Sequence, residues 1–548
     1  MRARRIRRLI RLPTTRCWLP SYAVPGYFAA DGNAAETSAD AGNKWRAHLS
    51  PGKTGEGRYQ IAFHAGPDVA VGAKGKVYPP FHGPAGSFKI APTNKTGRDF
   101  RAHGRLEYVS KHHLRFAGTG DYFLKAGADA PETLLAYTDF DGTVAHRADV
   151  PLKTWQPHVG DWRRGNPTWR GGKGKGLIGA INYLQAKGMN AFSFLTYNAG
   201  GDGDNVWPFV SRDEKMHYDC SKLDQWGLVF DYGTRLGMFL HFKLSESENS
   251  GAREKDDVAM DAGDTGPERK LYLREMIARY GHALALNWNL GEENTQTVQQ
   301  MRDMAQFIAD TDPYQHLIVV HTRGHWEGHQ RVYPHLLGEQ SALTGVSMQT
   351  RYIEDTHAFT RHWIAESAAA GRPWVVSNDE QDIGATGVPP DPGYGGYVQV
   401  KGPTIDEIRK YALWGNIMAG GAGVEYYFGY THPQNDLDLE DFRSRDRTWD
   451  YARYALEFFE QHDVPFAEMT NADELVRNPN HDNRRYCLAL ANQLYLVYLP
   501  VGGDAELDLR DATGEFKVQW FNPRLGTALQ DGPVTTAAGG DYVFLGLP

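Results

Sequence analysis

Two apolar runs in this 548-residue chain end on acids: "NWNLGEEN" closes on Glu292, Glu293 and Asn294, and "PWVVSNDE" closes on Asn378, Asp379 and Glu380. Carboxylates carried to one mouth by two different strands suit the hydrolysis of a glycosidic bond. One acid protonates the leaving oxygen, and one carboxylate attacks or stabilises the anomeric carbon. Taken alone, the first cluster also reads as a helix start, with Asn294 or Thr295 as the cap and the two acids favouring the positive helix end. The second acidic strand end tips the balance, because packing alone supplies no reason for charge after "WVVS".

Other polar residues close the remaining apolar runs and are candidates for holding sugar hydroxyls: Asp129 and Glu132, Tyr197 and Asn198, Asp202 and Asp204, His241 and Lys243, His321, Gln349, and Glu425 with Tyr426. Trp207 or Tyr427 could stack on a sugar ring. Each also has a structural reading, since a histidine or lysine on a strand can simply satisfy a neighbouring carboxylate. "GGDGDNVW" offers the oxygen ligands Asp202, Asp204 and Asn205, yet it lacks the twelve-residue loop and terminal glutamate of an EF-hand, so a sugar-binding or structural loop is expected. "HFKLSESEN" and "HTRGHWEGH" do not reproduce HExxH. No metal and no cofactor are therefore expected, and Asn94 in "NKTG" is too short a pattern to assign as a glycosylation acceptor.

These acids need a frame to position them, and the chain repeats one from "YFLKAG" onward: a short apolar strand, a polar loop and an amphipathic helix. The further strands are "AFSFLTYN", "MFLHFKL", "ALALNWNLG", "HLIVVHT", "GVSMQT", "PWVVSNDE" and "GVEYYFG". Such alternation predicts an α/β fold, a (β/α)8 TIM barrel, with its active site where the strands end; a doubly wound open sheet is the alternative. Short alternating runs between Gly, Pro and Asn clusters flank it on both sides. The expected division is an Arg-rich, disordered start over 1–20, an N-terminal β-sandwich over 21–118, the barrel over 119–463 and a C-terminal β-sandwich over 464–548.

Composition narrows the partners. A formal charge of -8, from 59 basic and 67 acidic residues, implies no broad basic face, so nucleic acid is not expected. An aromatic content of 12%, with 14 Trp and 28 Tyr, suits a protein that stacks sugar faces, although aromatics also fill cores. Cys17, Cys220 and Cys487 are odd in number and far apart, which gives no disulfide framework or zinc spacing. No apolar run reaches the ~18 residues that span a bilayer, so no membrane insertion is expected.

The two acidic strand ends resemble those of the retaining glycoside hydrolases of the large (β/α)8 clan, which carry the acid/base on strand four and the nucleophile on strand seven. That likeness implies Glu293 as acid/base, Glu380 as nucleophile, and Glu292 in the place where the clan usually has Asn. It also implies a raised pKa for Glu293, so that the acid holds its proton near neutrality. More closely, "VPGYFAADGNAAETS", "GNKWRAHLSPGKTGEGRYQIAF", "LRFAGTGDYFLKAGADAPETLLAYTDFDGT", "GMNAFSFLTYNAGGDGDNVWPF", "NWNLGEENTQT" and "PWVVSNDEQ" resemble bacterial proteins with a DUF5060 β-sandwich, a glycosidase-like barrel and a C-terminal collagen-binding-type sandwich. The resemblance begins late in the first sandwich, so a shortened N-terminal domain is expected. It implies a carbohydrate substrate and a periplasmic or secreted location, although "MRARRIRRLIRLPTTR" lacks the apolar segment of a secretory signal. A non-catalytic carbohydrate-binding protein and a polysaccharide lyase recruiting His241, Lys243 and His321 are the alternatives.

Overall fold

The computed structural model describes residues 6–11 (backbone only), 23–30, 34–39, 44–68, 71, 75–251, 258–399 and 401–546. Eight parallel strands form its centre: β1 (Lys125–Ala128), β2 (Ala191–Leu195), β3 (Phe239–Lys243), β4 (Leu286–Asn289), β5 (Leu317–Val319 and His321–Thr322), β6 (Gly345–Thr350), β7 (Val375–Gln381) and β8 (Gly423–Tyr426). β1 pairs with both β2 and β8. β5 pairs with β4 through its first half and with β6 through its second, so the sheet closes across Val320. The sheet is a barrel, as the strand and helix alternation predicts.

Helices α1 (Lys175–Ala186), α2 (Cys220–Leu236), α3 (Pro267–Tyr280), α4 (Val298–Thr311), α5 (Trp326–Val332) and α6 (Thr356–Ala369) follow β1 to β6. α7 follows β7 through Ile405–Glu407, Ile408–Leu413 and Trp414–Met418, its middle turn π-type, and α8 (Asp446–Gln461) follows β8. Their apolar faces and the outward side chains of the strands form one large core, in which Trp226, Trp288, Trp363, Trp374 and Trp449 are fully buried.

Two glycines set how closely β1 meets its neighbours. A Cβ on Gly127 would stand 2.0 Å from the Ala191 carbonyl oxygen, and one on Gly423, at φ +113°, would stand 1.9 Å from that of Lys125. Neither backbone can retreat without breaking the ladder. Gly423→Ala is expected to lower the thermal midpoint by about 4 °C or more, read by circular dichroism; an unchanged midpoint would contradict the close seam.

The barrel floor is apolar. Phe100, Leu106, Leu114, Phe116 and Phe123 pack against Phe239, Leu317, Val319 and Val375. The short helix Phe100–His103 and the paired Leu106–Glu107 and Arg115–Phe116 thus plug the end opposite the strand tips, although they fall within the expected N-terminal sandwich.

Upstream, Gly55–Ala65 centres a five-stranded antiparallel sheet with Val24–Pro25, Ile6–Arg11, Lys76–Val77 and Ala85–Ile90, and Tyr27–Ala29 pairs separately with Lys44–Arg46. Most of the Arg-rich start lies outside the described residues. Over Ile6–Arg11 the backbone runs as a strand in six register pairs with Gly55–Ala65. The region meets the barrel at α3, where Arg279 donates to the Phe28 carbonyl and its guanidinium lies 4.4 Å from the Tyr27 ring centroid.

Beyond α8, a three-stranded sheet (Thr470–Asn471, Tyr486–Leu490, Leu494–Tyr498) and two strand pairs enclose their own core around Val476, Cys487 and Leu507. This unit docks on α6 and α7. His357 Nε2 lies 2.7 Å from Asp473 Oδ2, its ring stacks on Tyr486 at 4.0 Å, and Trp414 stacks on Tyr498 at 5.0 Å. Burial alone would raise the Asp473 pKa, but the hydrogen bonds from His357, the Cys487 amide and His481 together hold it below the usual carboxylate value. A depressed folded pKa contributes stability above the unfolded value and loses it as pH falls through the folded one. Asp473→Asn is therefore expected to cost about 3 kcal/mol at neutral pH and almost nothing near pH 2, compared by urea denaturation at both pH values; equal losses would contradict it.

Cys220 and Cys487 are buried free thiols, the former pushed up to about 12 by burial, and Cys17 lies outside the described residues. Among the described residues no helix is long and apolar enough to cross a membrane.

Candidate active site

Inward-facing side chains turn polar immediately above the apolar floor. Lys125 pairs with Asp379 at 2.7 Å and with Glu425 at 3.0 Å. His241 Nδ1 donates to Glu425 Oε2 at 2.5 Å, and its Nε2 lies 2.9 Å from Asn289 Nδ2. Burial, reinforced by the Lys125 charge, pushes His241 down to about 3, so the ring is neutral and the amide supplies the proton on the Nε2 side. This layer ties β1, β3, β4, β7 and β8 together beneath the mouth.

The mouth lies one layer higher. Lys243 Nζ donates to Asp129 Oδ2 at 3.0 Å and makes a short ion pair with Glu132. Burial works against its charge, yet Asp129, Glu132, Glu292 and Glu380 outweigh burial and hold its pKa well above the ordinary lysine value. Opposite, Gln349 Nε2 donates to Glu380 Oε1, and His321 Nε2 stands 3.2 Å from Glu380 Oε2. Burial, aided by Lys243, lowers His321 to about 4, so it too is neutral.

A bulge delivers Glu380. Consecutive strand residues normally face opposite sides of a sheet. The register between β6 and β7 runs Met348 to Asn378 and then Gln349 to Glu380, which leaves Asp379 as the extra residue. Both acids consequently reach the interior, Asp379 to Lys125 below and Glu380 to Gln349 above. Asn378 Nδ2 donates to Thr350 Oγ1 at 3.1 Å and Gln381 Nε2 to the Glu425 carbonyl at 2.7 Å, pinning the bulge to both neighbouring strands.

Glu292 and Glu293 differ sharply. Glu292 is buried, and a carboxylate oxygen of it, one of Glu380 and a ring nitrogen of His321 all lie within 4.8 Å of one another. Burial first, then Glu132, Glu380 and Glu293, raise its pKa well above the carboxylate norm, against Lys243. Glu293 sits at the mouth with its side chain 30% exposed, 3.4 Å from Arg323, on a backbone at φ +36°. A left-handed non-glycine residue is strained, and such strain gathers at working sites. After burial, Glu293 is the strongest influence on Glu380, whose pKa is raised well above normal while Lys243 and the Gln349 hydrogen bond oppose the rise.

The helix-start reading does not explain these acids. α4 is capped by Thr297, whose hydroxyl accepts from the Gln300 amide, with Gln300 reaching back in a capping box. Asn294 exchanges hydrogen bonds with Gln296 in the turn before it.

Asp129, His241, Lys243, Glu292, Glu293, His321, Gln349, Glu380 and Glu425 thus line one continuous interior. Several residues expected to contact sugar are engaged within the protein. Tyr426 faces away from the axis onto Trp449, because alternation along β8 sends Glu425 inward. Tyr197 is buried, donating to the Val258 carbonyl and packing edge-on to Phe209. Asn198 clamps its own loop by accepting from the amides of Asn205 and Val206. Asp204 is held by Arg212 at 2.8 Å, and Trp207, only 3% exposed, has no face open for stacking. These residues build the loop after β2, and Asn294 likewise shapes the turn after β4 instead of presenting its amide to the mouth.

Lys125, Asn289, Glu246 and Asp436 belong to this network without having been singled out in sequence. Lysine inside the apolar "YFLKAG" was the one available signal; Asp436 lies in a long polar loop where nothing distinguishes it.

Residues 471–542 match a family described as "Putative collagen-binding domain of a collagenase". No curated protein matches the sequence. Among solved structures, the chain is similar to "a putative glycoside hydrolase" from Bacteroides vulgatus ATCC 8482, with TM-score 0.57 and 14% identity over 99% of this chain and 93% of that one. It is also similar to a glycoside hydrolase family 5 protein from the same organism, with TM-score 0.56 and 15% identity over 82% of this chain and 92% of that one. At such identity the likeness is one of architecture: this chain has the barrel fold of glycoside hydrolases, flanked by antiparallel sheets, and carries a collagen-binding-like domain at its carboxyl end.

Proposed function

We propose that the chain is a retaining glycoside hydrolase acting on a polysaccharide or oligosaccharide, with Glu380 as nucleophile and Glu293 as acid/base. The observation that carries this reading is the bulge that turns Glu380 into the same mouth as the acids ending β4. Retention calls for carboxyl groups about 5 to 5.5 Å apart, and after burial the charge of Glu293 is the strongest influence on Glu380, which fits two carboxyls that share one mouth. Glu293 is preferred to Glu292 as donor because its carboxyl faces the open mouth, where a leaving group departs and water enters. Glu292 instead points into a buried acidic group.

In the first step the Glu380 carboxylate attacks the anomeric carbon while Glu293 gives its proton to the departing oxygen. Water, deprotonated by Glu293, then resolves the glycosyl-enzyme. Lys243 and Gln349 favour negative charge on Glu380, and protonation of Glu293 removes the strongest repulsion acting on it. Tyr427, its hydroxyl donating to the Gly384 carbonyl, is as buried as Trp207 at 3% exposure and likewise has no face open for stacking on a sugar.

The five-stranded N-terminal sheet is read as a DUF5060-like domain that covers barrel surface, and a periplasmic or secreted location accords with a glycan substrate. The test is incubation of the full chain with a glycan panel, following products by chromatography and the new anomeric centre by proton NMR. Cleavage with retained configuration is expected. Inversion would sink the double displacement, glycan binding without turnover would favour the non-catalytic reading, and products absorbing as unsaturated uronates would favour a lyase.

A further inference from the structure

Glu132, Glu246 and Glu292 reach one point from the loops after β1, β3 and β4, and one carboxylate oxygen from each lies within 4.8 Å of the others. All three residues are buried. Two oxygens on opposite sides of a calcium ion, each at about 2.4 Å, stand about 4.8 Å apart. The spacing therefore fits a common cation and is tight for three carboxylates without one.

A second observation points the same way. Glu246 Oε1 accepts from the Asp202 amide at 2.7 Å, but Oε2 is buried with no hydrogen-bond partner, although the residue is only 2% exposed. A buried carboxylate oxygen without a donor is costly. The backbone makes room for it: a Cβ on Gly201 would stand 2.3 Å from this oxygen. The Glu246 amide donates to Asn249 Oδ1 at 2.8 Å, and the Glu132 amide donates to Asp436 Oδ1 at 2.8 Å. The ligand-bearing loops are thus held before any ligand arrives.

Charge balance asks for a cation. Lys243 is the ammonium that touches this group, and it is shared between Glu132 and Asp129. Asp202 adds negative field at Glu246, and the buried Asp436 adds it at Glu132. The neighbouring set of Glu292, His321 and Glu380 is a different case, because it contains the proposed nucleophile.

We propose that Glu132, Glu246 and Glu292 bind one divalent oxygen-seeking cation, calcium in preference to magnesium, beside the catalytic mouth. Oxygen-only donors on three separate loops suit a hard ion with a flexible shell, whereas magnesium demands near-ideal octahedral geometry and dehydrates reluctantly. The cation ties three strand ends together and, through Glu292, holds the floor beneath Glu293. This proposed site departs from the expectation of no metal.

The test reads binding and does not depend on glycan cleavage, so its failure would leave the hydrolase proposal standing. Full-length protein treated with chelator and dialysed is titrated with terbium, with emission excited through the tyrosines and tryptophans, and the bound terbium is then displaced with calcium or magnesium. Saturable emission is expected, reversed by calcium at lower concentration than by magnesium. Glu246→Gln is expected to weaken terbium binding by at least about tenfold while its metal-free melting temperature equals or exceeds that of the wild type. If that variant does not fold, the wild type decides alone: calcium should raise its melting temperature by about 2 °C or more over sodium chloride of matched ionic strength. No sensitised emission from the wild type, equal terbium binding by folded Glu246→Gln, or no calcium-dependent shift in the wild type would overturn the site.

Discussion

Glu380→Gln is expected to lower kcat on any glycan the wild type cleaves by about four orders of magnitude, equivalent to about 5 kcal/mol of transition-state stabilisation. The amide has the shape of the acid but cannot attack the anomeric carbon. Its surroundings tolerate the change, since Gln349 still finds an oxygen acceptor and a buried group under pressure to take up a proton is replaced by a neutral one. The melting temperature should therefore stay level or rise while turnover disappears, which separates a chemical role from a structural one. Purified variant retaining more than about a tenth of wild-type kcat would remove Glu380 from the mechanism.

Glu293→Gln should behave differently, and the difference depends on the leaving group. A sugar alkoxide departs only if protonated, so loss of the donor is expected to cut kcat/KM on natural glycans by about 10²- to 10⁴-fold. An activated aryl glycoside leaves without help. Its glycosylation step should change little, and turnover then becomes limited by the unassisted attack of water on the glycosyl-enzyme. The same comparison made on Glu292→Gln settles the division of labour between the neighbours. The donor is whichever residue shows the leaving-group dependence, and the expected result is that Glu293, the more accessible of the two, shows it. Equal losses on both substrates for Glu293→Gln would contradict a donor role.

Most of the frame was legible before any coordinates. "GVSMQT" is β6 residue for residue, and the other predicted strands overlap those observed with ends differing by a few positions. Strand periodicity is local, and each apolar run is bounded by turn residues that mark its ends. The break in β5 was not legible, because "HLIVVHT" is uniformly apolar up to its end and the interruption at Val320 arises only where one strand must serve two neighbours. Nor was the floor plug, since "GRLEYVSKHHLRFAG" reads as strands in either position and only its packing on Phe239 and Val375 assigns it to the barrel.

The site divided along the same line. Acids at two strand ends could be read from composition against position, since a charge closing a buried run demands a purpose. Which side each one faces could not. Strand alternation predicts that Asp379 and Glu380 point oppositely, and a one-residue register shift between β6 and β7 overrides that rule. Tyr197, Asn198, Asp204 and Trp207 occupy strand-end positions that resemble sugar contacts, yet their loop folds back and consumes their polar groups internally.

By itself, then, the sequence determined the repeating strand and helix order, the barrel this implies, and the identity of the acids available at its mouth, because these follow from local periodicity and residue type. Tertiary structure alone decided that Glu380 turns inward, that Glu292 is buried while Glu293 stands at the opening, and that Glu132, Glu246 and Glu292 converge from three loops. Burial and convergence are sums over groups distant in the chain, and only the closed sheet brings those groups within reach of one another.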